Sequence, residues 1–135
     1  MKKIRIMLAD DNETMRNALA MFLESDSEMV VVAQAVDGVN VLAQLDAVRP
    51  DIICMDINMG LPNGIDTTLQ VLRLHPQIKI IGLSANADPV LVANMAQAGA
   101  MAYVVKGNAG AELLTAIRAV HQGTSYFSPE LGIDL

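Results

Sequence analysis

Short aliphatic runs alternate with segments of helical spacing along the whole chain, and this alternation constrains the fold more than any other feature of the sequence. The runs are Ile4–Ala9, Met29–Ala35, Asp51–Met55, Ile78–Leu83 and Met101–Val105. Each is rich in β-branched or aliphatic residues and bounded by polar residues, Gly or Pro, which suits strands buried on both faces. In the first intervening segment Met15, Ala18, Leu19, Phe22 and Leu23 share one helical stripe. A second helix is predicted from Gly38 to Arg49, ended by Pro50, with Val41, Leu45 and Val48 on one face. A third carries Ile65, Leu69 and Leu72 and stops before Pro76. A fourth opens at Asp88-Pro89, an N-cap followed by Pro at the first helical position, and closes at Gly99. A fifth carries Leu113, Leu114, Ile117 and Val120 and ends near Gly123. This repeated alternation predicts an α/β domain whose parallel sheet is covered on both faces.

At 135 residues the chain has room for one domain with a continuous core. Residues 1–123 are expected to form it, leaving 124–135 as a tail. Although 53% of the residues are apolar, no run approaches the roughly 18 needed to cross a bilayer. The start Met1-Lys2-Lys3-Ile4 is similar to the basic end of a signal peptide, but the apolar run that follows stops at Asp10-Asp11. A soluble, cytoplasmic protein without membrane contact is expected. The formal net charge is −6 and the sequence shows no basic cluster, which argues against binding nucleic acid by neutralising its phosphates. Contact with DNA would fall to a domain outside this chain. The single Cys54 sits in an apolar run, so it reads as a small buried hydrophobe rather than a disulfide partner or metal ligand. His75 and His121 stand at helix ends, where the helix dipole favours them.

The polar residues that interrupt the apolar pattern are more telling. Asp10-Asp11 end the first strand, Asp56 the third, Ser84 the fourth and Lys106 the fifth. In a parallel sheet the carboxy ends of the strands share one edge, where open α/β folds bind ligands. An Asp or Ser at such a junction is often only a helix cap, and a lone Lys after a strand is often a solvated end. Separate explanations of that kind give no reason for all five to share one edge. Clustered carboxylates repel and stay ionised at neutral pH only when a cation joins them. An all-oxygen donor set without His or Cys points to a hard ion, Mg²⁺. An Asp carboxylate can attack phosphorus to give an acyl phosphate. Metal, lysine and hydroxyl can then each partner one oxygen of the transferred group.

With these residues placed, the chain up to about Gly123 closely resembles the CheY-like receiver domains of response regulators. The segments that carry the likeness are Ile6-Met7-Leu8-Ala9-Asp10-Asp11-Asn12, Asp51-Ile52-Ile53-Cys54-Met55-Asp56-Ile57-Asn58-Met59 with Gly64, Gly82-Leu83-Ser84-Ala85, and Gly99-Ala100-Met101-Ala102-Tyr103-Val104-Val105-Lys106. The resemblance implies a flavodoxin-like (βα)5 doubly wound parallel sheet of strand order 2-1-3-4-5. It implies Asp56 as phosphoacceptor, with Asp11, Asp56 and the backbone carbonyl of Asn58 on Mg²⁺ and Asp10 assisting through water. Lys106 would pair with the phosphoryl group. Ser84 would follow it inward and let Tyr103 turn from exposed to buried. The implied partner is a sensor histidine kinase, and the implied output and homodimer surface is the face of the fourth helix, fifth strand and fifth helix. Such a domain catalyses only its own phosphorylation and dephosphorylation and is no dedicated enzyme. The tail Gln122–Leu131 resembles the linker of the NarL/FixJ (LuxR-type) transcriptional regulators, which continue into a helix-turn-helix domain. The chain departs from the family pattern at Gly60 and Gly107, where Pro is usual.

Other readings fit less well. A haloacid-dehalogenase-like phosphatase places a second Asp two residues after its nucleophile as proton donor; Asn58 stands there. A nucleotide- or cobalamin-binding flavodoxin-like domain would need a Gly-rich loop after the first strand or a ligand-like His. A receiver that serves only as an interaction module, without phosphorylation, would not require the complete polar set. Asn58 and Asn86 flank the site and are placed to influence an attacking water. From Ala85 to Val105 the only charged residue is Asp88. Val90, Leu91, Val92, Met95 and Met101 are therefore expected to offer an apolar interface.

Overall fold

Strand ends set the position of every polar residue singled out above, so register matters most. In the computed structural model, which describes residues 2–85 and 88–127, six parallel strands form one sheet. They are β1 (Ile4–Ala9), β2 (Met29–Ala35), β3 (Ile52–Asp56), β4 (Lys79–Ser84), β5 (Ala102–Val105) and β6 (Tyr126–Phe127). Their order is β2-β1-β3-β4-β5-β6. The helices are α1 (Glu13–Glu24), α2 (Gly38–Val48), α3 (Gly64–Leu74), α4 (Pro89–Ala98) and α5 (Ala109–His121). The flavodoxin-like doubly wound sheet is the fold expected. Asn86, Pro129 and Gly132 lie outside the described residues.

Period-two alternation divides the core in two. Ile6 and Leu8 of β1, Ile52 and Cys54 of β3, and Ile81 and Leu83 of β4 point to the side covered by Leu19 and Leu23 of α1 and Leu113, Ile117 and Val120 of α5. Met7, Ile53, Met55, Ile80 and Tyr103 point the other way, against Val41 and Leu45 of α2, Val71 of α3, and Val92 and Met95 of α4. Both sets are almost wholly buried.

Four expectations need correction. On α1 the buried face is Arg16, Leu19, Ala20 and Leu23, while Ala18 is exposed and Phe22 half-exposed. The stripe is turned because an arginine occupies a core position. On α3 the buried face is Gly64, Thr67, Thr68 and Val71, and Leu69 is exposed. The threonines can be buried because their hydroxyls donate back to the carbonyls of Asn63 and Gly64. The apolar surface expected on α4 and β5 is mostly core, since Val92 and Met95 face inward and Leu91 and Met101 pack partly against it; only Val90 stands clear. Finally, the sheet continues past Gly123. Tyr126 and Phe127 pair with Ala102 and Tyr103, and the Tyr126 hydroxyl donates to Glu112 of α5. A two-residue edge strand has too few residues to show a period.

The backbone between β3 and α3 passes so close to the strand end that only glycine fits. A Cβ on Gly64 would lie 2.3 Å from the Asp56 carbonyl oxygen and 2.7 Å from the Ile57 Cα. Both are backbone atoms that cannot swing away. Gly64→Ala is expected to destabilise the domain by about 2–3 kcal/mol through overpacking, measurable as a lower urea midpoint.

Candidate functional site

The strand register aligns the site. Ala9 is level with Met55, so Asp10 follows at the height of Asp56; Asp56 is level with Leu83, and Ser84 with Val105. Asp10, Asp11, Asp56, Ser84 and Lys106 therefore meet at the carboxy edge of the sheet. None of the three aspartates is a helix cap. Those roles belong to Asn12, Asp37, Asn63 and Asp88, each accepting from an amide in the first turn of its helix.

Asp10 and Asp56 are held in the same way. Asp10 Oδ1 accepts from the Asn12 amide at 2.9 Å, and Asp56 Oδ1 from the Asn58 amide at 3.1 Å. Each side chain thus turns the backbone two residues on and leaves its Oδ2 free to face its neighbour. The Lys106 ammonium joins those two oxygens, 2.8 Å from Asp10 and 3.1 Å from Asp56. Asp10 Oδ2 is buried without a hydrogen bond of regular geometry, and this ion pair is its compensation. Both aspartates are buried while Asp11 is exposed at the rim.

The electrostatics follow from this crowding. Burial pushes the Asp56 carboxyl above its ordinary range; the Asn58 amide pulls it down, the Asp10 charge raises it further, and Lys106 opposes the rise. Burial alone would lower the Lys106 ammonium, but its bonds to Asp10 and Asp56 outweigh that and hold it above its ordinary value. One lysine does not balance the carboxylates around it. Asp10, Asp11 and Asp56 each present an oxygen within 4.8 Å of the others. Three hard carboxylate donors, two of them buried and short of positive charge, fit a hard divalent cation.

Ser84 ends β4 fully buried. Tyr103 is also fully buried, its ring beside Gly82 and the Met95 side chain. Burial raises its phenol above the ordinary value, the Ser84 hydroxyl counteracts this, and Asp88 and Asp56 add to the rise. The resemblance implies a tyrosine that turns inward with Ser84; in this structure the ring occupies the inner position. Asn58 contributes its backbone amide, and its side chain is exposed.

Arg16 and its partner Gln34 adjoin the site without being expected there. Arg16, 8% exposed, donates from its terminal guanidinium nitrogen to the Asp10 carbonyl at 2.6 Å and from Nε to Gln34 Oε1 at 3.1 Å. The signal was present, since Arg16 lies three, four and seven residues before Leu19, Ala20 and Leu23. Elsewhere, a cavity of about 490 Å³ lies at the opposite edge of the sheet, lined by Lys2, Lys3, Arg5, Val30, Asp51 and His121. It contains none of the converging residues. His75 pairs with Asp46 at the surface of α2 and α3, away from the aspartates. Among the described residues no helix is long and apolar enough to cross a membrane.

Comparison with known proteins gives the family. Residues 6–118 match the response regulator receiver domain family. The transcriptional regulatory protein DegU of Brevibacillus brevis is 33% identical over 129 residues, covering 96% of this chain and 55% of DegU. The response regulator GacA of Pseudomonas viridiflava is 33% identical over 132 residues, covering 98% of this chain and 62% of GacA. The chain thus spans somewhat over half the length of these relatives. A crystal structure of a LuxR-family two-component response regulator from Aurantimonas sp. SI85-9A1 superposes with a TM-score of 0.92 at 29% identity, covering 97% of this chain and 94% of that one. The chain belongs to the response regulator receiver domains of two-component systems, and those relatives are of the LuxR/NarL type.

Two measurements test the site. The native state holds the Asp56 proton more tightly than the unfolded chain, so this group's contribution to stability falls as pH rises through its raised pKa. Asp56→Asn is therefore expected to raise the urea midpoint at pH 7.5 in chelator, with the gain shrinking as pH drops into the carboxylate range. Burial also pushes the Cys54 thiol up to about 12. Thiol-reactive disulfide reagents at pH 8 should label Cys54 only at the rate of unfolding.

Proposed function

We propose that the chain accepts a phosphoryl group on Asp56 from the phosphohistidine of a sensor kinase. The observation that carries this reading is the buried Asp56 carboxylate, joined to Asp10 by the Lys106 ammonium at the open edge of the sheet. Asp10, Asp11 and Asp56, with the backbone carbonyl of Asn58, are the groups proposed to hold Mg²⁺. When bound, that ion neutralises the carboxylates and lowers the cost of bringing the anionic phosphoryl group to them. The residues of the chain do the rest. The Asn58 amide, bonded to Asp56 Oδ1, fixes the carboxylate so that one oxygen can approach phosphorus in line with the departing imidazole. As the P–O bond forms and the P–N bond breaks, Lys106 exchanges its bond to Asp56 for one to a phosphoryl oxygen. Ser84, at the end of β4, is placed to donate to another.

The change at Ser84 is proposed to stabilise the buried Tyr103 position described above. Tyr103 and Met95 of α4 share one core cluster and both lie over Gly82, which supports the α4-β5-α5 face as the output and homodimer surface. Transcriptional control through a DNA-binding domain outside this chain is the output the relatives suggest, with the chain working in the cytoplasm. A role limited to protein interaction is the outcome if no phosphoryl group is accepted.

Incubation with Mg²⁺ and acetyl phosphate should add one phosphoryl group, about 80 Da, read by intact-mass spectrometry. Asp56→Asn and chelation should each abolish the gain, and Lys106→Ala should slow it by at least about tenfold. A gain that survives Asp56→Asn would overturn the assignment.

A further inference from the structure

Arg16 presents a buried cation that the phosphoacceptor chemistry does not use. The residue is 8% exposed, on the inner face of α1. Burying such a group is unfavourable unless a carboxylate pairs with it. Among the described residues no carboxylate oxygen lies within 4.0 Å of it. It bonds two neutral acceptors instead, the Asp10 backbone carbonyl at 2.6 Å and Gln34 Oε1 at 3.1 Å. Gln34 is itself fixed, since it lies on β2 opposite Leu8 and its carbonyl accepts from Gln44 of α2 at 3.0 Å.

The carbonyl that Arg16 holds belongs to the peptide joining Asp10 to Asp11. The other polar groups of Asp10 are also tied. Its amide donates to the Ala35 carbonyl at 3.1 Å, its Oδ1 accepts from Asn12, and its Oδ2 faces Lys106. Peptide planarity means that fixing the carbonyl fixes the Asp11 amide and the direction in which Asp11 leaves the strand. Asp11 is the exposed member of the carboxylate group. No hydrogen bond or ion pair of its own side chain is found among the described residues, so its placement depends on the backbone that carries it.

We propose that Arg16 is a positioning residue for the cation site: through the Asp10 carbonyl it orients the Asp10–Asp11 peptide and so aims the Asp11 carboxylate, with Gln34 holding the guanidinium in place. This rests on the Mg²⁺-dependent reading of the site. Positioning and charge make opposite predictions. A cation a few ångströms from a Mg²⁺ site repels the ion, so on charge alone removing Arg16 would tighten Mg²⁺ binding. If Arg16 positions the ligands, removing it weakens binding.

The test is Mg²⁺ titration of the 135-residue chain, followed by the amide signals of Asn12 and Asn58, with urea midpoints measured alongside. Arg16→Met is expected to raise the half-saturating Mg²⁺ concentration by about tenfold or more, the usual effect of losing a group that orients a metal ligand. Gln34→Leu should raise it several-fold, whereas Gln34→Glu, which keeps the acceptor, should stay near the unaltered chain. Without metal, amide exchange at Asn12 should quicken in Arg16→Met and Gln34→Leu beyond any change in global stability. Unchanged or tighter Mg²⁺ binding in folded Arg16→Met overturns the proposal and leaves the phosphoacceptor reading standing. If Arg16→Met does not fold, Gln34→Leu decides in the same way. If the unaltered chain binds no Mg²⁺, the phosphoacceptor reading fails and the proposal falls with it.

Discussion

Two strands end in aspartates whose side chains each bond the amide two residues on, and one lysine draws their remaining oxygens together. Like charges this close would separate in water; here the surrounding backbone does not allow it. The register of β1, β3 and β5 sets their heights, and the close approach at Gly64 presses the start of α3 against the end of β3. The result is a negatively charged notch, buried at Asp10 and Asp56 and open at Asp11. Such preorganisation is what electrostatic chemistry requires, because no reorganisation remains to be done when the charge develops.

The rest of the charge distribution follows from the polarity of the fold. In a parallel sheet with crossover helices, the helix amino ends gather at the site edge and the carboxy ends at the other. Carbonyls at the carboxy ends need donors. Arg5 donates to the Val48 carbonyl in the last turn of α2, and Lys79 to the His121 carbonyl ending α5. Arg5 also lines the 490 Å³ cavity at that edge, so one of its cations has a structural role. In a chain of net charge −6, Arg5 and Lys79 thus stand where helix carboxy ends need donors, and Asp10, Asp11 and Asp56 gather at the other edge.

The fold was legible because short aliphatic runs alternate with segments of helical spacing, and all five expected strands match to within a residue at each end. Asp10, Asp56, Ser84 and Lys106 could be found because each breaks an apolar run at its carboxy end. Arg16 was missed although its spacing fits the buried face, because charged residues are assigned to solvent before spacing is considered. Thr67 and Thr68 were missed for a related reason, as hydroxyls that bond their own helix are nearly as easy to bury as methyl groups. Met95 and Val92 erred in the opposite direction. A run without charges says that a face can be covered, but not whether the chain's own sheet or another molecule covers it.

The sheet also acts as a wall between two compartments. Tyr103 lies on the side of α2, α3 and α4, whereas Leu83 and Val104, one residue away from the site on either strand, face α1 and α5. A side-chain rearrangement around Tyr103 therefore repacks one compartment while the other keeps its contacts. Surfaces on α1 would hold their shape throughout such a change, and those on α4 would not. On the proposed switching role of Tyr103, the α1 side of the domain keeps its shape while the α4 side varies.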